Sequence, residues 1–233
     1  MKHAVELSIR LVLLAFIWLA WWWVLSQPFS GMLNLCVIIG GVLLVYPVVW
    51  FGRKILDRQQ SPGGVVWTTT LVHYSFGLTF GVPTVSALAT RRAWPDWVLP
   101  VPVAIGWWLV VLTGAASALT VANLALKGLG APFAIALSRR VATEWMYAWT
   151  RNPMVLATLA FGVSLGVWFQ SALFVLWVLV VFAPALLFFV KVYEERELEL
   201  RFGASYLAYK ARTPMLWPRK PAGEVTRPAL LVP

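Results

Sequence analysis

Residues 154–190 read MVLATLAFGVSLGVWFQSALFVLWVLVVFAPALLFFV, 37 residues without one charged side chain. As a single helix this run would be about 55 Å long, well beyond the ~30 Å hydrocarbon thickness of a bilayer. The polar pair Gln170 and Ser171 stands near its middle. The stretch is therefore read as a helical hairpin, two spans joined by a tight turn near Gln170. A hairpin returns its end to its start. It thus brings Arg151 beside Glu194 at one membrane edge, although the two are 43 residues apart in sequence.

The rest of the chain fits that setting. Hydrophobic residues make up 61% and charged residues 12%, about half the charged share of a soluble domain. Further apolar runs lie at about 9–25, 32–51, 65–89 and 98–126. The third holds His73, Pro83 and several Thr and Gly, which marks it as packed against protein rather than lipid. The fold class expected is all-α: a polytopic integral membrane helical bundle of about six transmembrane helices, with a cytoplasmic C-terminal helical segment. Residues 1–126 form an N-terminal transmembrane region of four spans, 127–219 a core, and 220–233 a flexible tail. The N-terminus lacks a secretory cleavage signature and leads directly into a span.

Charge orients the bundle. With both termini in the cytoplasm, 16 of the 19 Lys and Arg face inward, and Arg91 and Arg92 alone fall in an outer loop. This obeys the positive-inside rule and places the protein in the cell inner membrane. The net charge of +10 is then topology plus attraction to anionic lipid, the bilayer being the evident partner. Nucleic-acid binding has no motif here. The single Cys36 excludes an intramolecular disulfide and a thiolate metal cluster, and no metal site is evident. Oligomeric state is not legible.

Four of the nine acidic residues crowd into one short stretch directly after the hairpin: Glu194, Glu195, Glu197 and Glu199. A carboxylate pair beside a bilayer is costly unless something positive satisfies it. The inner face also offers Gly128 and Gly130, which permit close backbone approach, and the guanidinium of Arg151, able to grip a carboxylate or phosphate. Tyr147, Trp149 and Tyr193 are candidates to wall a ring or a sulfonium. A zwitterion with a positive centre fits this set, S-adenosylmethionine among them. Blander readings exist for each part. Gly128 and Gly130 suit a helix end, Arg151-Asn152-Pro153 suits a helix start, and Phe202-Gly203 suits a helix stop. Glu197 and Glu199 are read as the solvated side of their helix, with Glu197 and Arg201 as an i,i+4 pair. His73 is read as hydrogen-bonded packing.

The order Gly128-x-Gly130, then Arg151-Asn152-Pro153-Met154, an apolar hairpin, Glu194-Glu195 and Phe202-Gly203-x-x-Tyr206-x-x-Tyr209 resembles a family of membrane methyltransferases. That family includes isoprenylcysteine carboxyl methyltransferases and phospholipid N-methyltransferases. The likeness covers roughly residues 127–219. It departs at Val155 and Ala157, where the family has Tyr and Gly, and at Trp145-Met146-Tyr147, where the family often has Gly-Pro-Tyr.

The resemblance implies a methyltransferase using S-adenosyl-L-methionine. Gly128, Gly130, Tyr147, Arg151, Pro153, Glu194, Glu195 and Tyr206 would hold that cofactor, with Arg151 and Asn152 at the reacting centre. The implied acceptor is lipophilic and membrane-embedded, isoprenoid- or lipid-like. A carboxylate or thiol is favoured, because the glutamates are committed to the cofactor and no base is left for an amine. The alternatives are a phospholipid amine N-methyltransferase and, from another class, a small transporter or assembly subunit.

Overall fold

The computed structural model describes residues 2–26, 31–90, 97–130 and 136–221. The expected outer-loop Arg91 and Arg92, and nearly all of the expected tail, lie outside these residues. The described chain is all-helical. Helices α1 (Lys2–Ser26), α2 (Gly31–Arg58), α3 (Pro62–Thr90) and α4 (Val103–Asn123) come first. A short α5 (Met146–Trp149) precedes the hairpin. Its first arm is α6 (Pro153–Trp168). Its second is one continuous rod of α7 (Ala172–Trp177), α8 (Ala183–Phe189) and α9 (Glu195–Phe202), and α10 (Ala204–Arg212) follows. Four helical stretches among the described residues are long and apolar enough to cross a membrane: Val5–Val24, Asn34–Arg58, Val103–Gly128 and Ala172–Phe202. α3 is not among them, and the apolar first arm, Pro153–Trp168, is shorter.

The hairpin is as expected. Gln170 turns with φ of +52°, and its amide donates to the Val167 carbonyl at 3.0 Å. Ser171 caps α7 by accepting from the Phe174 amide, as small hydroxyl residues do at helix starts. The span expected from residue 98 begins instead at Val103. The chain before it runs extended across the hairpin tip. Leu99 donates to the Gln170 carbonyl, Ala172 to the Trp97 carbonyl, and the Gln170 side chain to the Val101 carbonyl. Behind this strap α4 lies on α6. A Cβ on Gly106 would stand 2.4 Å from the Trp168 Cα, so only glycine permits the approach.

Among the described residues three π turns interrupt the helices: Leu124–Gly128 after α4, and Val178–Phe182 and Val190–Glu194 within the second arm. The middle one ends two residues before Pro184, whose ring lacks the N–H that an unbroken ladder needs. The largest core cluster spans three regions. Val45, Val49 and Leu56 come from α2, Val72 and Phe80 from α3, and Val155, Ala185, Phe189, Val190 and Tyr193 from the hairpin. Phe76 stacks on Phe189 and Phe80 on Phe182, with ring centroids 4.2 and 4.3 Å apart. Val155, where the resembling family has Tyr, is thus a small residue inside a core shared with α2 and α3.

Candidate functional site

The π turn Val190–Glu194 and α9 carry the acidic cluster into the space beneath α5 and α10. Arg151 sits in the link between α5 and α6. Its backbone amide donates to the Pro214 carbonyl at 2.9 Å. One Nη donates to the carbonyls of Lys210 (2.7 Å) and Thr213 (3.0 Å). The other pairs with Glu195 at 2.5 Å, both side chains being under a tenth exposed. The hairpin thus brings Arg151 to the glutamates, but the residue in contact is Glu195 rather than Glu194.

Glu195 also meets Lys191 at 3.3 Å and Lys210 at 2.8 Å. Lys210 reaches Glu199 at 2.9 Å as well, which neutralises the like-charge pair Glu195 and Glu199. Burial pulls the Lys210 ammonium down, but its bonds to Glu195 and Glu199 outweigh this and hold it above the ordinary lysine range. Sequence reasoning missed Lys210. Its partners come from a helix on the far side of Gly203, and no local spacing announces them.

Glu194 is different. Among the described residues it has no hydrogen bond and no ion pair. Its charge is felt by the phenols of Tyr147 and Tyr206. Burial, reinforced by neighbouring carboxylates, pushes both phenols well above the ordinary tyrosine range, so both stay protonated donors. The Tyr209 hydroxyl donates to the Tyr147 carbonyl at 2.6 Å and stitches α10 to α5.

The Arg151 Nε is a buried donor without a partner among the described residues, and so is the Nδ2 of Asn123. The Oδ1 of Asn123 accepts from the Met146 amide at 3.1 Å and so caps α5. Asn152 donates to the Met215 carbonyl at 2.9 Å, which pins the link rather than leaving its amide open. Pro153 begins α6 at its first turn.

Two expectations need correction. Glu197 is not solvated: it is 2% exposed and paired with Arg201. The i,i+4 geometry holds, but the α3 side and the loop cover it. Arg201 also donates to the Ser138 carbonyl in that loop. Tyr193 does not wall the site. It is fully buried on the α3 side, its hydroxyl 3.4 Å from that of Thr69. Gly128 and Gly130 are approached closely by the chain itself: a Cβ on Gly130 would stand 2.7 Å from the Ser138 Cα. His73 is packed as expected, its Nδ1 2.9 Å from the Thr69 carbonyl. Among the described residues no group of His, Cys, Asp and Glu forms a metal site.

Residues 101–205 match the family model of phospholipid methyltransferase. The match runs from just before α4 into the start of α10, and over this part the transmembrane chain is similar to a family of membrane methyltransferases. No curated protein matches, and no solved structure matches.

Proposed function

We propose that the protein transfers a methyl group from S-adenosyl-L-methionine to a lipophilic acceptor held in the bilayer. The observation that carries this reading is the unequal state of two adjacent carboxylates. Glu195 is saturated by three cations, while Glu194 has none among the described residues. An unsatisfied carboxylate at a membrane edge calls for a positive partner, and S-adenosylmethionine carries both an ammonium and a sulfonium. The open Arg151 Nε adds a donor for the anionic end of such a molecule.

S-adenosylmethionine supplies an electrophilic methyl on a good leaving group. The chain's task is then to align the reactants and exclude water. Glu194 holds the cation. Arg151, bound to Glu195 and to two carbonyls of the α10 end, keeps α6, α9 and α10 in one arrangement. Tyr147 and Tyr206 close the pocket with neutral hydroxyls. With Glu194 so committed, a carboxylate or thiol acceptor of isoprenoid- or lipid-like character is favoured, since neither needs a strong base. The second reading, a phospholipid amine, is favoured by the description of the matching family. We place the protein in the inner membrane with six spans and both termini cytoplasmic, α3 and α6 crossing alongside the four longer spans. The polar α3 is sheltered by α1 and α2.

Calorimetry with S-adenosylmethionine on the purified full-length protein tests this. The wild type binds, and Glu194→Ala and Arg151→Ala lose binding. A wild type that is folded yet does not bind would end the proposal. A radiolabelled-methyl assay on membrane extracts then distinguishes carboxylate, thiol and amine acceptors.

A further inference from the structure

Helices α1–α3 lie outside the matched residues 101–205, and nothing in the methyl-transfer chemistry requires them. Among the contacts that α2 and α3 make with the hairpin, a polar and aromatic set surrounds the π turn Val190–Glu194. A π turn interrupts the regular i→i−4 ladder and frees a carbonyl for an outside donor. In this turn the Val192 carbonyl accepts from Nη1 of Arg53 on α2, at 2.9 Å. The Nε of Arg53 meets Asp57 at 2.8 Å. Asp57 in turn meets Arg196 on α9 at 2.8 Å. One residue before Arg53, a Cβ on Gly52 would stand 3.0 Å from the Tyr193 ring. From α3, Thr69 takes the Tyr193 hydroxyl, and His73 packs edge-on against Phe189 and Tyr193. So α2 and α3 grip the residue before the turn, its third and fourth residues, and the second residue after it.

The consequence follows from helix geometry. One residue more or less in a helical turn rotates everything beyond it by about 100°. Losing the π turn would swing Glu194 and Glu195 away from Tyr147 and Arg151 respectively. We propose that α2 and α3 act as a positioning clamp for the carboxylate helix. Arg53 is its positioning residue: by holding the Val192 carbonyl it keeps the π turn that aims Glu194 at the ligand. Arg53 touches neither ligand nor reacting atoms; it acts through Glu194. The ligand part of this inference rests on the proposed function, whereas the clamp itself does not.

The test has two readouts on the full-length protein. The first is hydrogen exchange without ligand. In Arg53→Ala, amides of 190–200 lose protection while α4 and α6 keep theirs; unchanged protection at 190–200 overturns the clamp. The second is S-adenosylmethionine affinity in a double-mutant cycle with Glu194→Gln. Arg53→Ala weakens binding about tenfold in the wild-type background and has no further effect beside Glu194→Gln, as coupled residues behave. Equal factors in both backgrounds would mean a merely structural role and overturn the proposal. Should Arg53→Ala fail to fold, Arg53→Lys serves both readouts, because its single Nζ cannot hold Asp57 and the Val192 carbonyl together. A wild type that binds no S-adenosylmethionine overturns the proposed function, and the exchange readout still decides the clamp.

Discussion

Two turns flank the site, and they share almost the same backbone. Trp145, before α5, has φ +55° and ψ −119°. Gly203, before α10, has φ +51° and ψ −128°. Each short helix that follows brings tyrosine to the site, Tyr147 in one and Tyr206 with Tyr209 in the other. This conformation suits the first central residue of a type II′ turn and favours glycine. At 203 the chain supplies glycine. At 145 it supplies tryptophan, where the resembling family often has glycine. A non-glycine residue held there costs about 1–3 kcal/mol. The difference shows which turn is set by its own residue and which is imposed from outside. Around Trp145 the surroundings do the imposing. Asn123 takes the next amide, and the Lys127 ammonium lies 5.2 Å from the indole centroid.

Making the turns alike in the wrong direction should have the largest effect. A Cβ at 203 meets nothing within 4 Å, so Gly203→Ala tests backbone strain alone, and stability should fall by about 1–3 kcal/mol. Thermal unfolding in detergent reads this; an unchanged midpoint would mean that α10 adapts freely. Removing the outside support at the other turn comes next. Asn123→Ala deletes the cap on Met146 and should cost about 1 kcal/mol, with weaker ligand binding because Tyr147 loosens. Loss of stability without loss of binding would separate the cap from the site. The smallest effect belongs to Trp145→Gly. Relief of strain is set against greater unfolded-chain freedom and a lost cation–π contact, for a net gain of about 1 kcal/mol or less. A clear loss instead would show that the indole's contacts outweigh its backbone strain.

What the sequence made legible follows from where each feature's cause lies. The hairpin was readable because an uncharged run with a polar break has one economical solution in a bilayer. Gly203 was readable because a helix stop is local chemistry, and Glu197 with Arg201 because i,i+4 spacing is local too. The approach of Arg151 to the glutamates followed from the turn alone. The division of labour between Glu194 and Glu195 did not, because it depends on Lys210 arriving from α10. Nor did the burial of Glu197, which depends on α3 and on the loop that holds Ser138. The π turns leave no pattern in composition; they emerge where proline and tertiary contacts outcompete the regular ladder. The strain at Trp145 is invisible for the same reason.

The strap across the hairpin tip has a mechanical consequence. Bonds from Trp97, Leu99 and Val101 fasten the Gln170 turn, and the Gly106 crossing beside it leaves no slack. The two arms therefore resemble tongs riveted at the strapped end. Any parting of the arms is greatest at the opposite tips, where the Arg151–Glu195 pair is the catch. A guest entering beside the glutamates would meet the moving end, while one entering beside the strap would meet the rivet.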